Sequence, residues 1–147
     1  MSKIISFRGQ LDSDGQEKIN LKTIKGKIGY KIIKLQVMPA DPGVSQTEHI
    51  VKVFNKKQSS VDALVNFDNT ELLAAVFVAT SNGSNEAYAQ SIHTIFDNAI
   101  TNQNIFITAK ELAGGGPSNY YIELEQMTLS ELESTMLTLK SLRTITS

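Results

Sequence analysis

Short apolar runs separated by turn signals recur along the whole chain of 147 residues. Several of them, such as Lys18–Thr23, alternate apolar and polar residues, which is the pattern of a strand with one buried face. Many short strands with frequent turns are typical of a sandwich or a barrel. The sequence therefore predicts an all-β protein with one domain over residues 1–147, a single β-sandwich of jelly-roll type with about ten strands and at most one short helical turn.

The predicted strands are short runs of apolar and β-branched residues bounded by Gly, Pro, Asn, Asp or Ser. They are Lys3–Gly9, Lys18–Thr23, Tyr30–Met38, His49–Asn55, Val61–Phe67, Leu72–Ala79, Ile92–Phe96, Asn104–Lys110, Asn119–Met127 and a final strand from Thr135 to about Ile145. Within Tyr30–Met38, Ile33, Leu35 and Val37 are expected on one face. Ile92–Phe96 and Asn104–Lys110 are expected to pair with each other.

Leu72–Ala79 is apolar throughout and fits two structures. Asp68 with Glu71 resembles the start of a capping box, which would open a helix. The short length and the run Val76–Val78 favour a strand buried on both faces instead. The turn signal Ser81–Ser84 follows it.

Size and composition indicate a globular chain. Hydrophobic residues make up 41% of the sequence and charged residues 20%. No apolar run approaches the roughly 20 residues of a membrane helix, so no membrane association is expected. The opening MSKIISFRGQ lacks the pattern of a secretory signal, so the chain is expected to be made in the cytoplasm. The chain has no cysteine, which excludes disulfides and thiolate chemistry.

Charge is unevenly distributed although the net charge is only −1. Residues 1–60 hold 11 Lys and Arg against 5 Asp and Glu, whereas residues 61–147 hold 3 against 10. A basic half is compatible with nucleic-acid binding, but Tyr30 is the only aromatic residue in the Lys18–Lys34 run, so no nucleic acid is expected. We expect the Lys18–Lys34 region to meet the acidic Glu111–Glu133 region, either within one subunit or between subunits.

The sequence contains no convincing catalytic, cofactor or metal site, and no enzyme activity is expected. His49 and His93 are the only histidines, and both are interpreted as surface or boundary residues. The Asp12–Glu17 stretch begins like a calcium loop but lacks the later ligands, so it is interpreted as a solvated turn. Glu123 and Glu125 share a strand face but lack the aromatic surroundings of a glycosidase site, so they are interpreted as an acidic face.

The predicted last strand carries apolar residues on both faces. Leu137, Leu139 and Ile145 fall on one face, and Met136 and Leu142 on the other. Such a strand needs cover on both sides, because an exposed apolar edge promotes aggregation. It is therefore expected either to be inserted in the fold or to be covered by another subunit.

Four segments of the chain resemble small structural proteins of marine tailed bacteriophages. The resemblance extends from about Lys3 to Ser147 and rests on strand and turn patterns. Its segments are KIISFRGQ, LKTIKGKIGYKIIKLQVMP, IFDNAITNQNIFIT and SNYYIELEQMTLSELESTMLTLKSLRTITS. It implies a β-sandwich protein of the virion, as a coat, decoration or tail-associated component, and it transfers no functional residue.

Under this resemblance the expected partners are other copies of the chain, as a homo-oligomer, and virion proteins such as the major capsid protein. The expected mode of action is self-assembly or capsid binding through strand edges and complementary charged faces. The alternative is a carbohydrate-binding β-sandwich module of a phage tail. The sequence has no Trp and four Tyr, which is a poor supply of sugar-stacking rings.

Overall fold

The computed structural model describes residues 3–21, 28–42, 46–83, 86–96, 100–101, 104–114 and 116–128. The described residues fold as two packed antiparallel sheets, which confirms the all-β sandwich. None of them belongs to a helix long and apolar enough to span a membrane.

Nine strands are present in the described part of the chain. They are β1 (Lys3–Leu11), β2 (Gly15–Ile19), β3 (Ile28–Pro39), β4 (Gln46–Phe54), β5 (Leu72–Gly83), β6 (Glu86–Ile95), β7 (Ile100–Thr101), β8 (Ile105–Glu111) and β9 (Ser118–Thr128). Sheet 1 has the order β1-β9-β3-β7 and sheet 2 the order β2-β8-β4-β5-β6. The jelly-roll subtype stays a prediction.

The core lies between the sheets and is built from alternate residues of the paired strands. On β9, Tyr120, Ile122 and Leu124 point inward, and Tyr121 and Glu123 lie on the other face, as their alternation predicts. The buried core residues are Leu11, Ile19, Leu21, Tyr30, Ile32, Leu35, Val51, Val53, Leu73, Ala74, Val76, Val78, Ile105, Ile107, Ala109, Tyr120, Ile122 and Leu124.

The predicted strand Val61–Phe67 is wrong, because this segment forms a loop. Three side chains there bind the backbone two residues ahead: Asp62 accepts from Leu64 N, Asn66 from Asp68 N, and Asn69 from Glu71 N. Such Asx turns offer the backbone a local alternative to a ladder. Leu64 and Phe67 are consequently exposed.

The strand alternative for Leu72–Ala79 is confirmed, since β5 lies between β4 and β6. The predicted pairing of Ile92–Phe96 with Asn104–Lys110 is wrong. β6 pairs with β5, with Gly83 opposite Glu86, and β8 pairs with β2 and β4. Between them the two-residue strand β7 crosses to sheet 1, where it pairs with Tyr30 and Lys31. A strand this short leaves no pattern in the sequence.

Two further predictions differ from the structure in detail. The register of β3 with β9 shifts between Ile32 and Lys34, so Ile33 is 39% exposed while Leu35 and Val37 point inward. β2 begins at Gly15 and ends at Ile19, earlier than predicted. The predicted final strand Thr135–Ile145 lies outside the described residues, and so do most of the residues Thr128–Glu133, whose sequence TLSELE is where the one short helical turn is expected.

Candidate functional site

Among the described residues, a cleft of about 960 Å³ lies on the side of the sandwich where β3 of sheet 1 faces β6 of sheet 2. Its apolar lining includes Leu35, Val37, Val76 and Ile95 from the two sheets. Polar side chains from the strands around it complete the lining: Arg8, Gln10, Lys34, Gln36, Ser91, His93, Asn119 and Tyr121. A cleft with an apolar interior and a polar mouth beside a strand edge can hold an extended segment of polypeptide.

The strand edge at this cleft is largely unpaired among the described residues. β3 pairs with β9 along its length, from Ile28 opposite Thr128 to Pro39 opposite Ser118. On its other side β7 pairs only with Tyr30 and Lys31. The edge from Ile33 to Pro39 thus presents backbone donors and acceptors that no described strand satisfies.

Tyr120 lines the inner part of the cleft and is held there by a hydrogen bond across the sandwich. Its side chain is 3% exposed, and its hydroxyl donates to Oε1 of Glu17 on β2 at 2.9 Å. Burial, followed by the hydrogen bond to the Glu17 carboxylate, raises the pKa of Tyr120 far above its ordinary value. The ring therefore remains neutral and fixes one wall of the cleft.

The outer face of sheet 1 brings together the basic and acidic regions of the sequence. Lys31 on β3 lies opposite Glu125 on β9, and Lys34 lies opposite Glu123. The expectation that the two regions meet is confirmed within one subunit. The Nζ of Lys34 also lies 6.0 Å from the ring centroid of Tyr121, a cation–π contact at the mouth of the cleft.

The second polar feature is a buried cluster between the sheets. The Nδ1 of His49 on β4 lies 2.6 Å from Oγ of Ser118 at the start of β9. Glu111 on β8 pairs with His49 in the ladder, and its carboxylate accepts from the backbone N–H of Glu48 and Ala113, each at 2.8 Å. The interpretation of His49 as a surface or boundary residue is wrong, because it is 0% exposed. β4 is covered on both faces, which its sequence pattern does not reveal.

A serine, a histidine and a carboxylate together resemble a hydrolytic triad, but this cluster is arranged differently. Ser118 is 2% exposed and His49 0%, so neither side chain reaches a surface where a substrate binds. The two carboxylate oxygens of Glu111 cap backbone N–H groups. The geometry supports a role in joining β4, β8 and β9 rather than nucleophilic catalysis.

The buried histidine makes stability depend on pH. Burial lowers the pKa of His49 below 6.5, and the nearby Glu111 carboxylate only partly opposes this. The unfolded chain therefore binds a proton at His49 more readily than the folded chain does. The contribution of His49 to stability is complete above the pKa that this histidine has in the unfolded chain, and it is lost as the pH falls from that pKa through the lower pKa of the folded chain. The hydrogen bond from Lys52 lowers the pKa of Asp62 below 3.8, so Asp62 changes the stability only at about pH 3.8 and below.

We expect the free energy of unfolding to fall between about pH 7.5 and pH 5.5, by at most about 1.4 kcal/mol per pH unit for this one group. Urea unfolding at several pH values measures the slope. His49→Gln is expected to flatten it, and His93→Gln, at an exposed position on β6, is the matched control. An unchanged slope in His49→Gln would show that other groups cause the dependence.

The remaining predicted candidates do not form a site. Asp12–Gly15 is the turn between β1 and β2, and Asp14 in it has a φ of 71°. The Asp14 carboxylate lies 2.6 Å from Nζ of Lys110, and the Glu17 carboxylate accepts the hydrogen bond of Tyr120, so neither group is arranged as a calcium ligand. Glu123 and Glu125 share the outer face of β9, opposite lysines. His93 is exposed on β6 and lines the cleft. In the described part of the chain, no group of three or more His, Cys, Asp or Glu is placed to hold a metal ion.

Sequence reasoning missed the cleft, Tyr120 as its wall, and the contacts of His49, which bonds to Ser118 and lies opposite Glu111 in the ladder. The one signal in the sequence was the alternation along β9, which places Tyr120 on the inward face. It does not reveal that Glu17 is the hydrogen-bond partner of Tyr120. The cleft arises where β3 and β6 lie at neighbouring sheet edges, a tertiary arrangement that no local pattern encodes.

No family model matches the chain, and no curated protein sequence matches it. A solved structure described as "Bacillus endospore appendages form a novel family of disulfide-linked pili" is similar at 13% identity, over 88% of this chain and 92% of that chain, with a TM-score of 0.30. A TM-score this low is too small to place the two chains in one fold.

Proposed function

We propose that this chain is a structural protein of a bacteriophage particle, acting by self-assembly or by binding the capsid surface through strand edges and complementary charged faces. The observation that carries the proposal is the Ile33–Pro39 edge of β3, which no described strand pairs on the side of the apolar cleft. A soluble sandwich normally protects such an edge, and an assembly protein uses it to pair with a partner.

Two further features favour assembly over chemistry. The polar groups with the geometry closest to a catalytic set are buried and hold the sheets together. The outer face of sheet 1 presents Lys31 and Lys34 in one row and Glu123 and Glu125 in the next, so that a neighbour with the opposite order finds complementary charges. The resemblance of four sequence segments to small phage structural proteins favours the virion as the setting.

The second candidate is a carbohydrate-binding module of a phage tail. The observation in its favour is the ring of Tyr121 at the cleft mouth, beside Arg8, Gln36 and Asn119, which supply donors and acceptors for hydroxyl groups. Tyr120 is on the opposite face of β9 and is buried in the inner part of the cleft, so it does not add a second exposed ring at the mouth. A glycan array tests this candidate, with Tyr121→Ala as the control for any glycan that binds.

The experiment for the structural role is quantitative mass spectrometry of purified virus particles from the source, together with sedimentation of the purified chain. We expect the chain in particles at a fixed copy number, and an oligomer in solution. Copies by the hundred would identify a shell protein, whereas about six to twelve would identify a ring at the tail or portal. Absence from clean particles would overturn the structural role.

A further inference from the structure

Another pocket lies under the loop of residues 55–71, on the outer face of sheet 2. The loop is closed at its base, where the backbone N–H of Asn55 donates to the carbonyl oxygen of Glu71 at 3.0 Å. The pocket has a volume of about 260 Å³, which is below the roughly 300–1,000 Å³ of sites for drug-sized ligands. Long loops that fold on themselves are often functional, so this loop pocket is a candidate site for a small ligand. Its lining includes Lys52, Phe54, Asp62, Asn66, Asn69 and Thr108.

Two buried polar side chains of sheet 2 line the loop pocket. Lys52 on β4 lies directly opposite Thr108 on β8, so both side chains are on one face of the sheet. That face is the outer one, because Val51 and Val53 beside Lys52 belong to the core. Thr108 is 1% exposed, and its hydroxyl has no hydrogen-bond partner in the described part of the chain. A buried hydroxyl without a protein partner is costly, so a bound group that accepts its hydrogen bond would stabilise the fold.

The Lys52 ammonium has one N–H group that can reach a ligand. Of its three N–H groups, one donates to Oδ1 of Asp62 and another to the carbonyl oxygen of Leu64. The Lys52 side chain is buried, whereas that of Asp62 is 55% exposed. Because water screens the carboxylate more than the ammonium, the interior of the loop pocket keeps a positive potential. A ligand acceptor that carries a negative charge is therefore favoured there.

Two amide side chains add further donors to the lining. Oδ1 of Asn66 accepts from the backbone N–H of Asp68, and Oδ1 of Asn69 accepts from that of Glu71. Since each amide oxygen is used in its own turn, the Nδ2 group of each amide is left as a donor. The loop pocket thus combines an ammonium, a hydroxyl and two amide NH₂ groups. Charge-assisted hydrogen bonds from such donors suit a carboxylate.

We propose that the loop pocket binds the carboxylate of a small organic acid. The carboxylate oxygens accept hydrogen bonds from Nζ of Lys52 and Oγ1 of Thr108, and the volume restricts the acid to a few carbon atoms. The loop pocket shares no lining residue with the cleft between β3 and β6. The site is therefore independent of the strand edge on which the proposed assembly role depends.

Acetate is the probe for this site, and its neutral isostere acetamide is the matched control. Each compound is added to the full chain at neutral pH while NMR shifts are followed, with the ionic strength held constant by sodium chloride. We expect acetate to shift the resonances of Thr108 and Asn69 with a dissociation constant on the order of 1 mM, as its four heavy atoms allow. Acetamide lacks the charge and is expected to bind at least about tenfold more weakly.

Four variants locate the site. Lys52→Met is expected to weaken acetate binding at least about tenfold and Thr108→Val about fivefold, since each removes one donor. Asp62→Asn is expected to tighten binding at least about threefold, because it removes the carboxylate that competes for Lys52. Thr94→Val, at a threonine of β6 that does not line the loop pocket, is the control and should leave binding unchanged.

A stability measurement gives a second readout. In urea without acetate, Thr108→Val should be no less stable than the unmodified chain, because it removes a buried hydroxyl that has no protein partner. Adding acetate should raise the urea midpoint of the unmodified chain more than that of Thr108→Val.

Several results would overturn the proposal. One is the absence of any shift at acetate concentrations about a hundredfold above the expected constant. Equal binding of acetate and acetamide would exclude recognition of the charge, and equal binding to Lys52→Met would place acetate elsewhere on the surface. Loss of stability in Thr108→Val without acetate would show that the hydroxyl already has a partner. If Lys52→Met does not fold, Thr108→Val and the acetamide control decide.

Discussion

Lys52→Ala is expected to lower the free energy of unfolding by about 2–5 kcal/mol, the range for removing a long buried side chain from a core. The Lys52 side chain is 6% exposed, on the central strand β4. Its Nζ donates to Oδ1 of Asp62 at 3.0 Å and to the carbonyl oxygen of Leu64 at 2.6 Å, and lies 5.5 Å from the ring centroid of Phe54. Alanine removes both the buried stem and the anchor of the loop that holds Asp62 and Leu64.

Two further variants separate the stem from the charge. Lys52→Met keeps an unbranched apolar stem and removes the ammonium, so it is expected to cost less than about 1.5 kcal/mol, because well-packed apolar groups often replace a buried ion pair without loss. Asp62→Asn leaves the buried ammonium without its counter-charge. Since the Asp62 side chain is 55% exposed, water screens it, and the expected cost is about 1–2 kcal/mol.

Urea unfolding of the three variants at neutral pH measures these differences. The expected order of stability is Lys52→Met, then Asp62→Asn, then Lys52→Ala. If methionine costs as much as alanine, the ion pair and not the packed stem holds the loop.

The fold could be predicted because alternation along strands reports burial directly. β9 shows this most clearly: Tyr120, Ile122 and Leu124 alternate with polar residues, and the structure buries the same three. Turn chemistry was equally informative at Asp12–Gly15, where Asp14 has a positive φ. These signals are local, and the sequence displays them without reference to the rest of the molecule.

The features that were assigned wrongly from the sequence depend either on side chains that compete with strand pairing for the backbone or on contacts between residues far apart in the sequence. Val61–Phe67 has the composition of a strand, but Asp62 and the asparagines around it bind their own backbone instead. The local sequence around His49 is that of a boundary residue. In the fold, β5 and β8 pair with both edges of β4, and Ser118 of the other sheet bonds to the His49 ring. Along one side of β3, β7 pairs with two residues, and the other described strands leave the edge from Ile33 to Pro39 open beside the cleft. No local pattern contains this information.

Gly9→Ala is expected to destabilise the protein by about 1–2 kcal/mol, although alanine is intrinsically better than glycine in a strand by about 0.5–1 kcal/mol. Gly9 on β1 lies opposite Tyr120 on β9. A Cβ at Gly9 would lie 2.8 Å from the Tyr120 hydroxyl oxygen and 2.9 Å from Cε2. The ring cannot retreat easily, because its hydroxyl is bonded to Glu17 and its body is buried. Overpacking of this kind typically costs about 1–3 kcal/mol, which exceeds the intrinsic gain.

A double-mutant cycle with Tyr120→Leu tests whether the ring is the cause. Once the ring is gone, Gly9→Ala should stabilise by about 0.5–1 kcal/mol, so the coupling between the two positions should reach about 1.5–3 kcal/mol. Gly15→Ala is the matched control, because its Cβ would lie 2.8 Å from the backbone oxygen of Asp12 and the nearest atoms belong to Leu11 and Asp12 rather than to Tyr120. It should be equally damaging in both backgrounds. If Gly9→Ala is equally destabilising with and without the Tyr120 ring, contact with the ring is not the cause. Glycine would then be needed at position 9 for the backbone of β1.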